Sequence, residues 1–220
     1  KERIREICTN PVLRFERREK APKSQRTIIK GKVSIVIPVT KEAKHIKECV
    51  QAIRKKSPEP HEIIFIDINS SKDIRKWLRM CAGDNNNYRI IHTQKSLNAS
   101  ESFNHGIPES SGEFIVLLDP NVVVTENWLS GMIECLKSEV DVGIVGPMTN
   151  NTRGLQKAVN ANYGSIENLG AYAKLFREKN RFRRIPNRRI AGFCWLFRRE
   201  LVDKIGLLDE TFAWENYEDE

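Results

Sequence analysis

Strand-length apolar runs, each leading into apolar residues at helical spacing, constrain this chain more than any other feature. "KVSIVIPV" (32–39) precedes Ala43, Ile46, Val50 and Ile53, and "HEIIFIDINSS" precedes Ile74, Trp77, Leu78 and Cys81. "YRIIHT" is followed by Ala99, Phe103 and Ile107. "GEFIVLLDPN" is followed by Trp128, Leu129, Met132, Ile133 and Leu136, a helix that Thr125 is expected to cap, and "VGIVGP" supplies a fifth strand. Strands apolar on both sides, alternating with helices, predict an α/β fold with a mostly parallel sheet covered on both faces.

The net charge of +8 raises the question of an anionic partner, and its location answers it. Residues 1–32 hold 11 Lys/Arg against 4 Glu, leaving the other 188 residues almost neutral. They read as a basic N-terminal arm or linker, because Pro11 and Pro22 interrupt any long helix. A second basic cluster, "KLFREKNRFRRIPNRR", has eight Lys/Arg and one Glu. Basicity gathered in an arm argues against nucleic acid as the partner of the body, and leaves peripheral membrane contact through the arm open. No apolar run reaches the ~20 residues that span a bilayer. Five scattered cysteines without a C-x-x-C pair speak against a disulfide framework or zinc site and for a reducing, cytoplasmic compartment. A start at Lys1 and a stop in "WENYEDE" suggest a fragment of a longer protein.

Ligands of such sheets bind beyond the carboxyl ends of the strands. Asp67 ends the second strand and Asp119 the fourth, so two carboxylates are expected on one rim. Each has a plainer reading: Asp119-Pro120-Asn121 as a turn, and Asp67 as a cap for the helix near Ser71. Gly192, among bulky residues of "RRIAGFCWLFRREL", is placed in a strand with close backbone approach to a ligand, or is simple strand irregularity. The long polar loop "GPMTNNTRGLQKAVNANYG" suggests a functional or mobile segment.

In order, "VSIVIPV", "EIIFIDINSS", "SFNHGIPESSGEFIVLLDPNVVVTENWL", "VGIVGPMTNNT", "AGFCWLFRREL" and "IGLLDETFAWENYEDE" resemble a family 2 glycosyltransferase of the GT-A fold. The resemblance is to bacterial cell-surface or protein glycosyltransferases, and it runs from Val33 to the last residue. It implies a GT-A domain over 33–220, truncated at its C-terminal end. It further implies inverting, single-displacement transfer of a sugar from a UDP- or dTDP-sugar to a glycan, lipid-linked or protein acceptor, in the cytoplasm or at the inner membrane surface.

By that resemblance Pro38, Val39, Asp67, Asp119 and Gly192 bind the nucleotide sugar, with Asp67 accepting from an imide N–H of the base. Asp119 and Asn121 correspond to an Asp-x-Asp motif that holds Mg²⁺ or Mn²⁺. Asn121 departs from the usual second acid, and a neutral amide oxygen is a poorer ligand for a hard cation, so a marginal metal site is expected. Thr40 and Lys41 also depart from the family's usual Tyr-Asn. Glu218 and Asp219 map to the acidic motif with the catalytic base, Asp219 being that base; Trp214 would stack on the acceptor sugar. Without the resemblance, "ENYEDE" reads as a solvated acidic run and Trp214 equally as a core anchor. The rival is a non-catalytic GT-A-like binding module whose basic arm docks to nucleic acid or acidic membrane. Nucleotidyl transfer lacks its Gly-rich phosphate loop in "IPVTKEAKHI". The four histidines are dispersed and receive no catalytic role.

Overall fold

The computed structural model describes residues 26–41, 43–158, 161–187 and 189–210. Most of the basic arm, and Trp214, Glu218 and Asp219, lie outside the described residues. The elements are β1 (Ile29–Val39), α1 (Ile46–Lys56), β2 (His61–Ile68), α2 (Lys72–Gly83), β3 (Tyr88–Thr93) and α3 (Ala99–Gly106). They continue with β4 (Gly112–Leu118), α4 (Trp128–Lys137), β5 (Ile144–Val145), α5 (Leu169–Lys179), β6 (Cys194–Arg198) and α6 (Arg199–Ile205). One six-stranded sheet has the order β3-β2-β1-β4-β6-β5. β1 to β4 are parallel, and β6 runs antiparallel to both β4 and β5.

The two-residue period of the strands sorts their apolar side chains onto two faces. Val33, Ile35, Ile37, Val39, Phe65, Phe114 and Val116 meet Cys49 and Ile53 of α1, Leu78 of α2 and Leu129 and Met132 of α4. Val36, Ile64, Ile66, Ile115 and Leu117 meet Phe103 of α3, Ile107 and Val202 of α6. Each such residue contributes on the order of 1.5–3 kcal/mol when fully buried, which is why these strands read as unbroken apolar runs.

β1 starts three residues ahead of the expected "KVSIVIPV", with a register irregularity between Ile29 and Val33. The close approach there requires glycine at 112: a Cβ would lie 2.7 Å from the Lys32 carbonyl oxygen and 2.7 Å from the Ser34 nitrogen, both backbone atoms that cannot move aside. The fifth strand shrinks to Ile144–Val145, because Gly146 already turns away against Ile190 and the Gln156 amide. Thr125 does not cap α4. Asn127 precedes that helix in the left-handed region (φ 57°) without a side-chain cap, and Thr125 offers only its carbonyl to the Trp128 N–H at 3.3 Å. The start of α4 is held instead by the Trp128 indole, which donates to the buried Ser57 hydroxyl at 2.9 Å.

Candidate active site at the carboxyl rim

Register brings the candidate residues together. Val39 pairs with Asp67 across β1 and β2, and Val36 pairs with Leu117 across β1 and β4, so Asp119 falls level with Pro38. The two acids therefore flank Pro38-Val39, two strand spacings or about 10 Å apart. Val39 itself is fully enclosed in the core, which leaves its backbone as the part that can face a ligand.

Asp67 is 2 % exposed and fully engaged. Its Oδ1 accepts from the Ser70 backbone N–H at 2.9 Å, and its Oδ2 lies 2.7 Å from His92 Nδ1 and 3.5 Å from Arg75 Nε. Burial alone would push this carboxyl up; the hydrogen bonds from Ser70 and His92 outweigh it and hold the group below its ordinary value. Asp67 is thus held toward its ionised, acceptor-only form. The helix cap next to it is a different residue: Ser71 accepts from the Ile74 N–H at 3.3 Å. Arg75 also donates to the Ser70 carbonyl at 2.7 Å, and Asn69 adopts φ 48°, so the turn after β2 is pinned from both sides. His92, dismissed as one of four scattered histidines, is the strand partner of Asp67 in β3. Only the pairing of "FIDI" with "IIHT" could have disclosed it.

Asp119 is half-buried and serves the turn as well as the rim. Its Oδ1 accepts from the Asn121 N–H at 2.7 Å, and its own N–H donates to the Phe193 carbonyl at 2.9 Å. The second carboxylate oxygen has no such commitment to the turn, and Asn121 is exposed beside it. Gly192 does not lie in a strand. β6 begins at Cys194, opposite Leu118, and Gly192 sits in the turn just before it, because the chain must reverse at the rim to enter an antiparallel strand. It still reaches the same edge as Asp119.

The long loop after β5 is tied down rather than loose. Gln156 is buried, donates to the Pro147 carbonyl at 2.9 Å and accepts from the Ala191 N–H at 2.6 Å, joining the loop's start to the entry of β6. Trp195 reinforces that entry by donating to the Ala191 carbonyl at 2.8 Å.

Among the described residues no three His, Cys, Asp or Glu side chains form a ready-made cation cage. One carboxylate and one amide oxygen, at Asp119 and Asn121, match a hard divalent ion that takes its remaining ligands from substrate phosphates and water. No helix of the described residues is long and apolar enough to cross a membrane.

The family model for glycosyl transferase family 2 matches residues 34–206. Glycosyltransferase GlyG of Streptococcus pneumoniae is 31% identical over 108 residues, 49% of this chain and 35% of that protein. Among solved structures, the mannosyltransferase PcManGT from Pyrobaculum calidifontis, in complex with GDP-Man and Mn²⁺, superposes with TM-score 0.58 and 17% identity. The match covers 91% of this chain and 55% of that one. S. aureus TarS in complex with UDP-GlcNAc gives 0.53 and 14% identity, over 79% and 47%. These likenesses establish the GT-A fold, and the chain spans about half the length of the solved relatives and a third of GlyG.

Proposed function

Because the chain belongs to glycosyl transferase family 2, we propose that it moves a sugar from a nucleoside-diphosphate sugar to an acceptor hydroxyl, with inversion, in a single displacement. The observation that carries this reading is the pair of ionisable residues, Asp67 and Asp119, on either side of Pro38-Val39 at the carboxyl ends of a parallel sheet.

Asp67, held ionised by Ser70 and His92, would accept the imide N–H of a uracil or thymine. Pro38 and the Val39 backbone form the floor between the two acids, and Gly192 lets the β6 turn approach the donor. Asp119 and Asn121 would hold Mg²⁺ or Mn²⁺, which when bound neutralises the diphosphate and so eases its departure. In the transfer itself the acceptor oxygen bonds to the anomeric carbon as the bond from that carbon to the phosphate oxygen breaks. Asp219 takes the hydroxyl proton on the opposite face, with Glu218 beside it, and Trp214 stacks on the acceptor. These three residues, the 33–220 extent of the catalytic domain and the cytoplasmic setting belong to this proposal. The acceptor is a glycan, a lipid-linked sugar or a protein.

The deciding experiment incubates the full-length protein with a panel of nucleotide sugars and measures transfer and donor hydrolysis. Calorimetry with UDP, dTDP, GDP and ADP should show the uridine or thymidine nucleotide binding tightest, and Asp67→Ala should erase the preference. ADP binding as tight as UDP would remove Asp67 from the base. Transfer or hydrolysis of no donor would favour a binding module.

The metal prediction follows from ligand chemistry. Asn121→Asp puts a charged oxygen where the amide stands, so Mn²⁺ should bind the protein–nucleotide complex about tenfold tighter. Unchanged Mn²⁺ affinity in a calorimetric titration would place Asn121 away from the ion.

A further inference from the structure

We propose that the segment from α5 to Arg189 docks on an anionic lipid bilayer. α5 buries none of its residues, and its rings form a short ladder in which Tyr172 lies 5.6 Å from Tyr163 and 6.0 Å from Phe176. That ladder fastens one side of the helix. Leu175 of the helix stays 66% exposed, and beyond its end Phe182 is 75% and Ile185 42% exposed.

Lys174, Lys179, Arg181, Arg183 and Arg184 stand exposed among these apolar groups. Phe182 adopts φ 61°, a region that disfavours an aromatic residue, and the Arg181 guanidinium lies 4.8 Å from its ring centroid. A bulky ring and a cation are thus presented together to the outside.

The composition selects the occupant. A second copy of the chain would bring eight like charges against eight. A polyanion would engage the cations but give Leu175, Phe182 and Ile185 nothing to bury in. A bilayer surface with anionic headgroups satisfies both kinds of group at once, the cations at phosphate level and the apolar side chains in the acyl boundary.

Both ends of the loop are fastened at the transfer rim, through Gly146 after β5 and through Phe193, which accepts from the Asp119 N–H. Resting on the function proposed above, docking here sets the rim against the membrane and favours a lipid-borne acceptor. The docking itself needs no activity to be measured.

The test is co-sedimentation of the full chain with vesicles of phosphatidylcholine, alone or mixed with phosphatidylglycerol. Wild type should partition onto the mixed vesicles at least about tenfold better than onto neutral ones, and less as salt is raised. Leu175→Ser, Phe182→Ser and Ile185→Ser combined should cost about tenfold on mixed vesicles while heparin retention stays unchanged, since every cation, including those of the arm, is kept. Arg181→Glu, Arg183→Glu and Arg184→Glu combined should cost about tenfold on mixed vesicles and also weaken heparin retention. Thermal melts establish that the variants fold, and Phe182→Ser alone replaces the triple variant if it does not. Equal binding to both vesicle types, or undiminished vesicle binding of the serine variant, overturns the proposal; the latter would show that charge alone, the arm's included, holds the chain to the vesicles.

Discussion

Asp219→Asn in the full-length protein is expected to lower kcat for sugar transfer by ~10²–10⁴-fold, the usual consequence of losing a general base. Nucleotide affinity should stay within about threefold, because the function proposed above assigns donor binding to the rim of β1, β2 and β4 and not to Asp219. Asp119→Ala should behave differently and weaken both. Its carboxylate forms the turn that positions Asn121, and in the function proposed above it also faces the donor, so its loss should disturb the diphosphate site before any proton moves. Single-turnover rates and calorimetry on the two variants separate the roles. An Asp219→Asn protein that turns over at the wild-type rate would move the base elsewhere, whereas an Asp119→Ala protein with wild-type UDP affinity would leave the Asx turn as that residue's only function.

The contrast between those two acids reflects what could be read along the chain. Strands buried on both faces announce themselves, since every residue of "SIVIPV" and "IIFIDI" must be enclosed; periodicity placed β1 to β4 and their helices within a few residues. Rim placement of Asp67 and Asp119 followed, because a parallel sheet puts all carboxyl ends on one edge. Features that depend on which strands become neighbours were hidden. β6 inserts antiparallel between β4 and β5, and that reversal moves Gly192 out of a strand and into a turn. The pairing of β2 with β3 sets His92 against Asp67 although 25 residues separate them. Gln156 looked like one polar residue of a loop, yet it holds the two ends of that loop together. None of these has a local signal, since propensity and spacing report on neighbours in sequence alone.

The same is true of Glu62, which the sequence shows as an acid at the start of an apolar strand and which carries the largest expected effect on stability. Its side chain is 5 % exposed and collects five hydrogen bonds or ion pairs. The Ser34 hydroxyl donates at 2.6 Å, the Ser111 N–H at 2.6 Å and the Ser111 hydroxyl at 3.0 Å, while Lys32 and Arg89 approach at 3.2 and 3.0 Å. Burial would push this carboxyl up, but Ser34, Ser111 and Arg89 together bring it below the ordinary glutamate value. Glu62→Ala leaves three donors and two cations without their acceptor, which costs about 3–5 kcal/mol out of a typical total of about 5–15. A drop in Tm of about 6–20 °C is expected for a domain of this size. Glu62→Gln retains an acceptor oxygen for the serines and should lose less. The pH dependence provides a second readout. A depressed folded-state pKa means that the unfolded state binds a proton first, so the contribution is present above the unfolded value near ~4.3 and disappears as pH falls through the folded value. Wild type should therefore lose more stability than Glu62→Gln between about pH 5 and pH 2 in urea melts. Five residues of extended strand, about 17 Å, separate Glu62 from Asp67, so the folded Gln variant should bind UDP as wild type does. Parallel acid profiles for the two proteins would show that the buried carboxylate is not what the serines and cations hold in place.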